Sequence, residues 1–227
     1  MSRPKKSQRA VRGTPARQDG LETRRALLEA AGEVFAQHGY AKATSKEICA
    51  RAHANAAAVN YHFGGKDGLY AAVLEEAHVR IVSIESMAAM ASSDADAKLK
   101  LRQLLSRIVR QVAGDGRSGW ELRVLSREIL SRSPMSSGLI DKQIRPKAAL
   151  LRNILAEVMK LPADHPAVSR SLVTVMGPIL MLLITDRELQ RKVAPHLELD
   201  AEALTEHLLV YALAGLEAVA RKARSGG

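Results

Sequence analysis

The sequence has few of the residues from which common catalytic and metal sites are built. Its 227 residues include one cysteine, Cys49, one tryptophan, four tyrosines and two phenylalanines. A single thiol excludes an intramolecular disulfide and a multi-cysteine metal site, and Cys49 is either a buried structural thiol or a redox sensor. The HExxH spacing of zinc peptidases, the GxSxG nucleophile elbow and a Gly-rich phosphate loop are absent from the sequence. We therefore expect no enzyme activity, no cofactor and no metal site.

Long apolar segments are also missing. The longest one runs from Leu172 to Ile184, contains Gly177 and Pro178, and falls short of the ~20 residues that a membrane span needs. No apolar stretch of the kind found in signal peptides follows the basic residues at the start. We therefore expect a soluble, cytoplasmic protein without membrane contact.

Positive charge exceeds negative charge, and half of the excess lies at the start. The formal net charge is +10, and residues 1–20 hold six basic side chains and one acidic. This segment lacks apolar periodicity, so we expect a disordered basic tail over residues 1–20. The tail either contacts nucleic-acid phosphates or serves as a solubilising leader. The charge favours a polyanionic partner.

The rest of the sequence predicts helices. No alternation of apolar and polar residues is long enough to predict a sheet, so the expected fold class is all-α. Pro, Gly, Ser and Asp mark the breaks between helices. The helices predicted from apolar spacing cover residues 22–38, 66–90, 95–113, 117–132, 138–160, 167–190 and 201–224. We expect the long helix over residues 66–90 to act as a rigid lever between two domains.

Residues 44–66, TSKEICARAHANAAAVNYHFGGK, predict two short helices joined by a tight turn. Thr44 stands three residues before Glu47, the capping-box spacing in which each side chain satisfies the other's free backbone N–H. Asn55 is expected to cap the second helix, whose Val59 points to the core. This outline is that of a DNA-reading helix-turn-helix.

The end of the motif is as informative as its start. Gly64 and Gly65 stop the second helix. Lys66 then opens the next helix, where free backbone N–H groups can receive a phosphate. Such an ending suits a helix that is laid into a groove of DNA.

The block from about residue 23 to residue 74, which contains FAQHGY and ends with NYHFGGKDGLY, resembles the TetR family of bacterial one-component transcriptional regulators. The later stretch RVLSREILSRSP is similar to the CecR-like branch of that family. The resemblance implies a three-helix DNA-binding domain, residues 21–70, followed by a helical ligand-binding and dimerisation domain, residues 71–227. It also implies a homodimer that usually acts as a repressor.

A dimer would let two copies of the second motif helix read a palindromic operator, with half-sites about 34 Å apart. Candidate DNA contacts combine the outer face of that helix with positions that touch the sugar-phosphate backbone in similar proteins. They are Thr44, Ser45, Lys46, Asn55, Ala56, Ala57, Asn60, Tyr61, His62 and Lys66. The alanines make no bidentate hydrogen bond, so we expect discrimination to depend on Asn60, Tyr61, Lys46 and DNA shape. His62 is alternatively a packing residue, and Lys66 a solvated lysine.

The last two predicted helices carry more apolar surface than one interior stripe requires. One interpretation makes them central helices of a monomeric bundle. The other, which the resemblance implies, pairs them with a second copy in a four-helix dimer interface. The residues expected at that interface are Leu172, Met176, Ile179, Leu183, Leu208, Tyr211 and Gly215.

An effector site is harder to predict, because aromatic residues are rare after residue 70. Methionines suit a pliable apolar pocket, although they equally suit a plain core. Glu121 and Glu128 share a helical stripe with Leu125, so the two carboxylates either border a cavity or form interhelical ion pairs. The candidate ligand residues are Met87, Trp120, Glu121, Leu125, Glu128 and Met176.

These patterns predict a sequence-specific transcriptional regulator, most simply a repressor that a small-molecule effector releases from its operator. The alternative is a weakly selective helical protein that coats DNA through the basic tail and the alanine-rich helix.

Overall fold

The computed structural model describes residues 15–113, 119–197 and 200–225, and the regular elements in these ranges are helices. They follow one another along the chain, with a π-helical turn, Ile140–Ile144, between the eighth and the ninth. The α-helices are α1 Pro15–Lys42, α2 Ser45–Arg51, α3 Ala56–Phe63, α4 Lys66–Ile81, α5 Ile84–Ala91, α6 Ala97–Ala113, α7 Trp120–Leu130, α8 Ser136–Leu139, α9 Arg145–Met159, α10 Pro166–Ile184, α11 Arg187–Val193 and α12 Ala201–Ser225. The all-α prediction is confirmed.

The predicted tail and first helix need one correction. Residues 1–14 lie outside the described residues, but α1 already begins at Pro15, so residues 15–20 are helical and not part of a disordered tail. At the predicted stop, Gly39, the helix kinks and then continues to Lys42, and this glycine has a left-handed φ of 73°. Glycine adopts that conformation without the Cβ clash that other residues suffer.

Two predicted long helices are in fact broken, so the 66–90 and 167–190 predictions were wrong. Val82 is extended after α4, and the Ser83 hydroxyl accepts the Ser86 N–H at 3.1 Å to start α5. Asp186 does the same for α11, accepting the Leu189 N–H at 2.7 Å. Such side chains offer backbone N–H groups a partner outside the running helix, and they therefore favour a new start. The helix expected to act as a rigid lever over residues 66–90 therefore ends at Ile81, the last residue of α4.

The buried apolar residues form two clusters, and α7 contributes to the first although it lies far along the sequence. The first cluster contains residues of α1, α2, α3 and α4 together with Trp120, Val124 and Leu125 of α7. The second cluster joins α5, α6, α9, α10 and α12 with Leu122 of α7, and it begins at Val82. The division therefore falls at the break between α4 and α5, while the domain boundary at residue 70 stays a prediction.

A charged network joins α1, α4 and α7. The guanidinium of Arg80, near the end of α4, forms ion pairs with Glu29 of α1 and with Glu121 of α7, the latter at 2.9 Å. It also lies 5.0 Å from the ring centre of Trp120, whose Nε1 donates to Glu29 at 2.9 Å. The hydrogen bond from Arg80 lowers the pKa of Glu29 below its usual value, so this carboxylate stays charged.

A second set of contacts holds α7 against the end of α1. The kink at Gly39 frees carbonyls of the preceding turn, and Arg127 donates to those of Ala36 and Gln37 at 2.8 and 3.1 Å. Arg123 pairs with Glu33 at 2.7 Å. These contacts fix α1 to an element of the C-terminal part.

Candidate nucleic-acid interface

The helix-turn-helix forms as the spacing predicts, and each helix start has its own side-chain cap. Thr44 Oγ1 accepts the Glu47 N–H at 3.2 Å, and Asn55 Oδ1 accepts the Ala58 N–H at 2.9 Å. The reciprocal half of the capping box does not form. The Glu47 carboxylate instead lies 3.2 Å from His38 and 3.8 Å from Arg51.

The outer face of α3 is exposed over its whole length. Ala56, Ala57, Asn60 and Tyr61 are all exposed, with Tyr61 at 84%, whereas Val59 on the opposite face is buried at 2%. Burial of one side alone fixes the rotation of α3. Its free surface offers two methyl groups, one amide and one phenol to a partner, which suits a major groove.

The start of α4 continues this surface. Gly64, at φ 72°, ends α3, and Gly65, at φ 117°, precedes α4 without a side-chain cap. Since the Leu69 N–H is the first bonded within the helix, to the Gly65 carbonyl at 3.0 Å, the N–H groups before it are free for an anion. Gly68 lets the end of α3 lie close against the first turn of α4, because a Cβ there would overlap the Phe63 carbonyl oxygen.

The remaining candidate DNA contacts occupy the edges of the same surface. Lys46 is exposed beside the start of α2, and Ser45 and Lys66 are half-buried. His62 is also half-buried, with its ring 4.9 Å from that of Tyr61 and 6.2 Å from that of Phe63. The packing alternative for His62 therefore remains open.

Sequence reasoning missed one cation at this surface. Arg24 of α1 is exposed and its guanidinium lies 5.1 Å from the ring centre of Phe63, at the end of α3. Arg24 and Phe63 are far apart in sequence and share no short motif. Only the packing of α1 across α3 brings them together.

The structure does not bring the six candidate ligand residues together. Trp120 and Leu125 belong to the first apolar cluster, and Met87 and Met176 to the second. Glu121 is ion-paired with Arg80, as the alternative interpretation held. Buried Glu128 accepts hydrogen bonds from the Tyr70 hydroxyl at 2.8 Å and from Ser133 and Ser136. Their roles toward a ligand stay predictions.

A small open cleft lies between α7 and the break that separates α10 from α11. Its volume is about 150 Å³, and none of the six candidates lines it. The lining mixes apolar and polar side chains: Leu122, Arg123, Ser126, Leu183, Ile184, Thr185 and Asp186. Because Arg123 also pairs with α1, this cleft borders an element that holds the DNA-reading helices.

Helices α10 and α12 carry a large exposed apolar surface. Both are long and apolar enough to cross a membrane by length and composition, and fewer than a third of the residues in each apolar window are buried. The large exposed side chains include Val173 at 70%, Met181 at 56%, Val210 at 67% and Tyr211 at 76%. An apolar surface of this kind marks a site of association.

One residue of the predicted dimer interface is misplaced. Ile179 is only 2% exposed and belongs to the core of the protomer, so it was wrongly assigned to the interface. Leu172, Met176, Leu183 and Leu208 are half-buried, whereas Tyr211 and Gly215 are exposed. The spacing from Val173 to Leu180 is the signal that identifies the exposed face of α10, because residues seven apart share a helix face.

Two family models match the chain. Residues 27–73 match the family described as bacterial regulatory proteins, tetR family. Residues 97–218, more than half of the chain, match the C-terminal domain of the HTH-type transcriptional dual regulator CecR. The chain therefore belongs to the TetR family of regulators and carries a C-terminal domain of the CecR type. It is a sequence-specific DNA-binding transcription regulator; members of this family bind operators as dimers and respond to small-molecule effectors.

Solved structures share the same fold at low sequence identity. The transcriptional regulator FadR from Bacillus subtilis, in complex with stearoyl-CoA, is similar at 20% identity and TM-score 0.65, and the match covers 84% of this chain and 98% of its own. SmeT, the repressor of a multidrug efflux pump of Stenotrophomonas maltophilia, has 20% identity and TM-score 0.63, with coverages of 86% and 91%. No curated protein sequence matches.

Proposed function

We propose that this regulator is a repressor that binds a palindromic operator as a homodimer and is released when a small apolar molecule binds its C-terminal domain. The observation that carries the proposal is the exposed face of α3 beside the uncapped start of α4. A recognition helix and a phosphate-binding helix start lie side by side there, on one surface. While bound to DNA, the protein is associated with the nucleoid.

The DNA contacts divide into two kinds. Asn60 and Tyr61, on the free face of α3, reach base edges, while Ala56 and Ala57 meet thymine methyl groups. Lys66 and the free N–H groups of α4 hold a phosphate, which fixes the position of α3 on the duplex without reading sequence. Thr44 and Asn55 act mainly by capping their helices, since their side-chain oxygens already accept backbone N–H groups.

The dimer forms through the exposed faces of α10 and α12. Exposed apolar side chains on two adjacent helices give a self-complementary surface, as a two-fold axis requires. Ala214 and Gly215 of α12 are exposed, and an added Cβ at Gly215 would meet no atom of the protomer within 4 Å. A second copy can therefore approach closely, and we propose this copy rather than a membrane as the cover.

The effector signal reaches the DNA-binding helices through α7. This helix packs on α1 and α4, and it borders the cleft at the α10–α11 break. A ligand that displaces α7 also moves Arg123 and Arg127, whose partners lie on α1. The spacing of the two α3 helices then changes, which favours a state that no longer fits the operator.

The effector is apolar in this proposal. The second cluster is built from Leu, Ile, Val and Met side chains, including Met87 and Met176, and such side chains adapt to varied apolar ligands. Glu121 and Glu128 already have partners, which removes the argument for a basic ligand. FadR was solved with stearoyl-CoA and SmeT with triclosan, so these two compounds are reasonable first probes.

The DNA-binding test begins with selection of binding sites from a pool of random duplexes. Fluorescence anisotropy then compares wild type with Lys66→Ala, Tyr61→Ala and the control Lys98→Ala, which removes an exposed lysine of α6. We expect the first two variants to bind the selected duplex about tenfold more weakly and the control to bind like wild type. Unchanged affinity in both Lys66→Ala and Tyr61→Ala contradicts the contact map. Failure to select any consensus would favour the DNA-coating alternative.

Release is tested with stearoyl-CoA and triclosan. A compound that raises the melting temperature binds the folded protein, and the same compound should lower affinity for the selected duplex at least fivefold. A compound that binds and leaves DNA affinity unchanged contradicts the release mechanism.

A further inference from the structure

Tyr40 lies near the end of α1 and faces the start of α4, but none of the contacts described above uses it. It follows the Gly39 kink at the end of α1. Its ring centre is 4.7 Å from the ammonium of Lys66, and its hydroxyl donates to Asp67 Oδ1 at 2.7 Å. Two successive residues of α4 are therefore held by one aromatic side chain.

We infer that Tyr40 is a positioning residue for DNA binding, which holds the Lys66 ammonium where it meets a backbone phosphate and keeps the Asp67 carboxylate turned away from that phosphate. The inference rests on the proposed contact between Lys66 and DNA. It adds a residue that does not itself need to touch the duplex.

The Lys66 ammonium lies over the face of the Tyr40 ring. A lysine ammonium over a tyrosine face within about 6 Å is attracted by the negative face of the ring. The long lysine side chain otherwise samples many rotamers, and ordering it on binding DNA costs conformational entropy. A ring that holds the ammonium beforehand reduces this cost.

The other contact of Tyr40 at the start of α4 is with Asp67. A carboxylate in the first turn of α4 stabilises the helix, but it also repels a phosphate at the same N-terminus. The Tyr40 hydroxyl gives this carboxylate a hydrogen-bond partner on α1. Asp67 raises the pKa of Tyr40 above its usual value, so the hydroxyl remains protonated and continues to donate.

Aromatic packing holds the Tyr40 ring in place. Its ring centre lies 5.0 Å from that of Tyr70, and Tyr70 packs edge-on against Phe35 at 4.6 Å. Tyr70 is 2% exposed and its hydroxyl donates to buried Glu128 of α7 at 2.8 Å. The ring below Lys66 is therefore backed by the core of α1 and α4 and by the effector-side helix α7.

The test is a double-mutant cycle on the duplex selected from the random pool, measured by anisotropy over a salt series. Tyr40→Met removes the aromatic face but retains apolar bulk, and Tyr40→Phe retains the face but loses the hydroxyl. In wild-type background, we expect Tyr40→Met to weaken binding about three- to tenfold and to make the salt dependence shallower. Tyr40→Phe should recover most of the affinity. In the Lys66→Ala background, Tyr40→Met should cost no more affinity than Tyr40→Phe does, because only the hydrogen bond to Asp67 is then left to lose.

The outcomes separate this inference from the contact map on which it rests. If Lys66→Ala leaves affinity unchanged, the phosphate contact and the role of Tyr40 both fail. If Lys66→Ala weakens binding but Tyr40→Met does not, only the positioning role fails. Equal losses from Tyr40→Met with and without Lys66 also overturn it, because the tyrosine would then act through general folding. If Tyr40→Met does not fold, Tyr40→Leu replaces it in the same cycle.

Discussion

The molecule has two large exposed helical surfaces, and they differ in chemistry. The face of α3 presents small methyl groups, an amide and a phenol beside cations, whereas the faces of α10 and α12 present Val, Leu and Met side chains. A surface that binds hydrated DNA can stay solvated when it is free, but a wide apolar surface cannot do so without cost. The face of α3 is therefore suited to a partner that binds reversibly, and the faces of α10 and α12 are suited to a permanent partner.

The largest predicted effect breaks the apolar surface. Tyr211→Asp places a charge on the face of α12 that also carries Leu208 and Gly215, where dimerisation would bury it near its symmetry mate. We expect the dimer to weaken by a hundredfold or more, and DNA affinity to fall with it. Analytical ultracentrifugation measures the first effect. Leu99→Asp, at an exposed position of α6, is the matched control and should remain dimeric. A dimer unaffected by Tyr211→Asp would exclude this face.

The second prediction tests how closely α1 and α7 pack, because α7 connects the DNA-binding helices to the rest of the protein. A Cβ on Gly32 of α1 would overlap the Trp120 indole of α7, so Gly32→Ala should destabilise the protein by about 1–3 kcal/mol through overpacking. Chemical denaturation followed by Trp120 fluorescence measures this loss. Gly138→Ala, where an added Cβ meets nothing within 4 Å, should be close to neutral. Equal stability of both variants would mean that α1 and α7 do not pack closely.

The third prediction sharpens the account of the polar surface. Asn60 is exposed on α3, and if it reads a base edge, Asn60→Ala should cost about 1–3 kcal/mol of discrimination at one position in each half-site. Binding to single-base variants of the selected duplex measures this loss. A uniform loss over all sequences would instead assign Asn60 to the phosphate backbone.

The smallest predicted effect is a pH dependence of stability, and it arises from His78 near the end of α4. Burial, with the nearby charge of Lys147, lowers the pKa of His78 to about 4. The unfolded chain therefore binds this proton more readily between pH 6.5 and 4, and stability is lost as pH falls through that window. The loss should be on the order of 1 kcal/mol.

Urea unfolding at several pH values tests this effect. His78→Asn should show a shallower decline than wild type, whereas His196→Asn, at an exposed position, should follow wild type. Identical pH profiles for wild type and His78→Asn would contradict the assignment.

The sequence was most informative where local chemistry determines structure. Thr44, Asn55 and Gly64 mark helix ends by caps and by a left-handed turn, and each does so in the structure. The break at Val82 was missed because apolar spacing continues across it. The cap from Ser83 outweighs that spacing, and a serine inside an apolar pattern gives only a weak signal.

Contacts between distant residues could not be read in the same way. Arg24 meets Phe63, Glu29 meets Trp120, and Glu128 meets Tyr70 through tertiary packing alone. Glu121 and Glu128 were correctly placed on one stripe, but that pattern does not distinguish a ligand cavity from ion pairs and hydrogen bonds. Ile179 was misassigned for a related reason, since a helix that is apolar on most sides does not reveal which side remains exposed.

The most direct measurement compares binding to the selected duplex with binding to the same duplex carrying five extra base pairs between its halves. A dimer whose two α3 helices enter successive major grooves requires half-sites about one helical turn apart. The account predicts two-fold symmetry in the selected sequence and at least a hundredfold loss of affinity when half a turn is inserted. Equal affinity for the two duplexes, or a selected sequence without symmetry, would contradict the proposed dimeric reading of an operator.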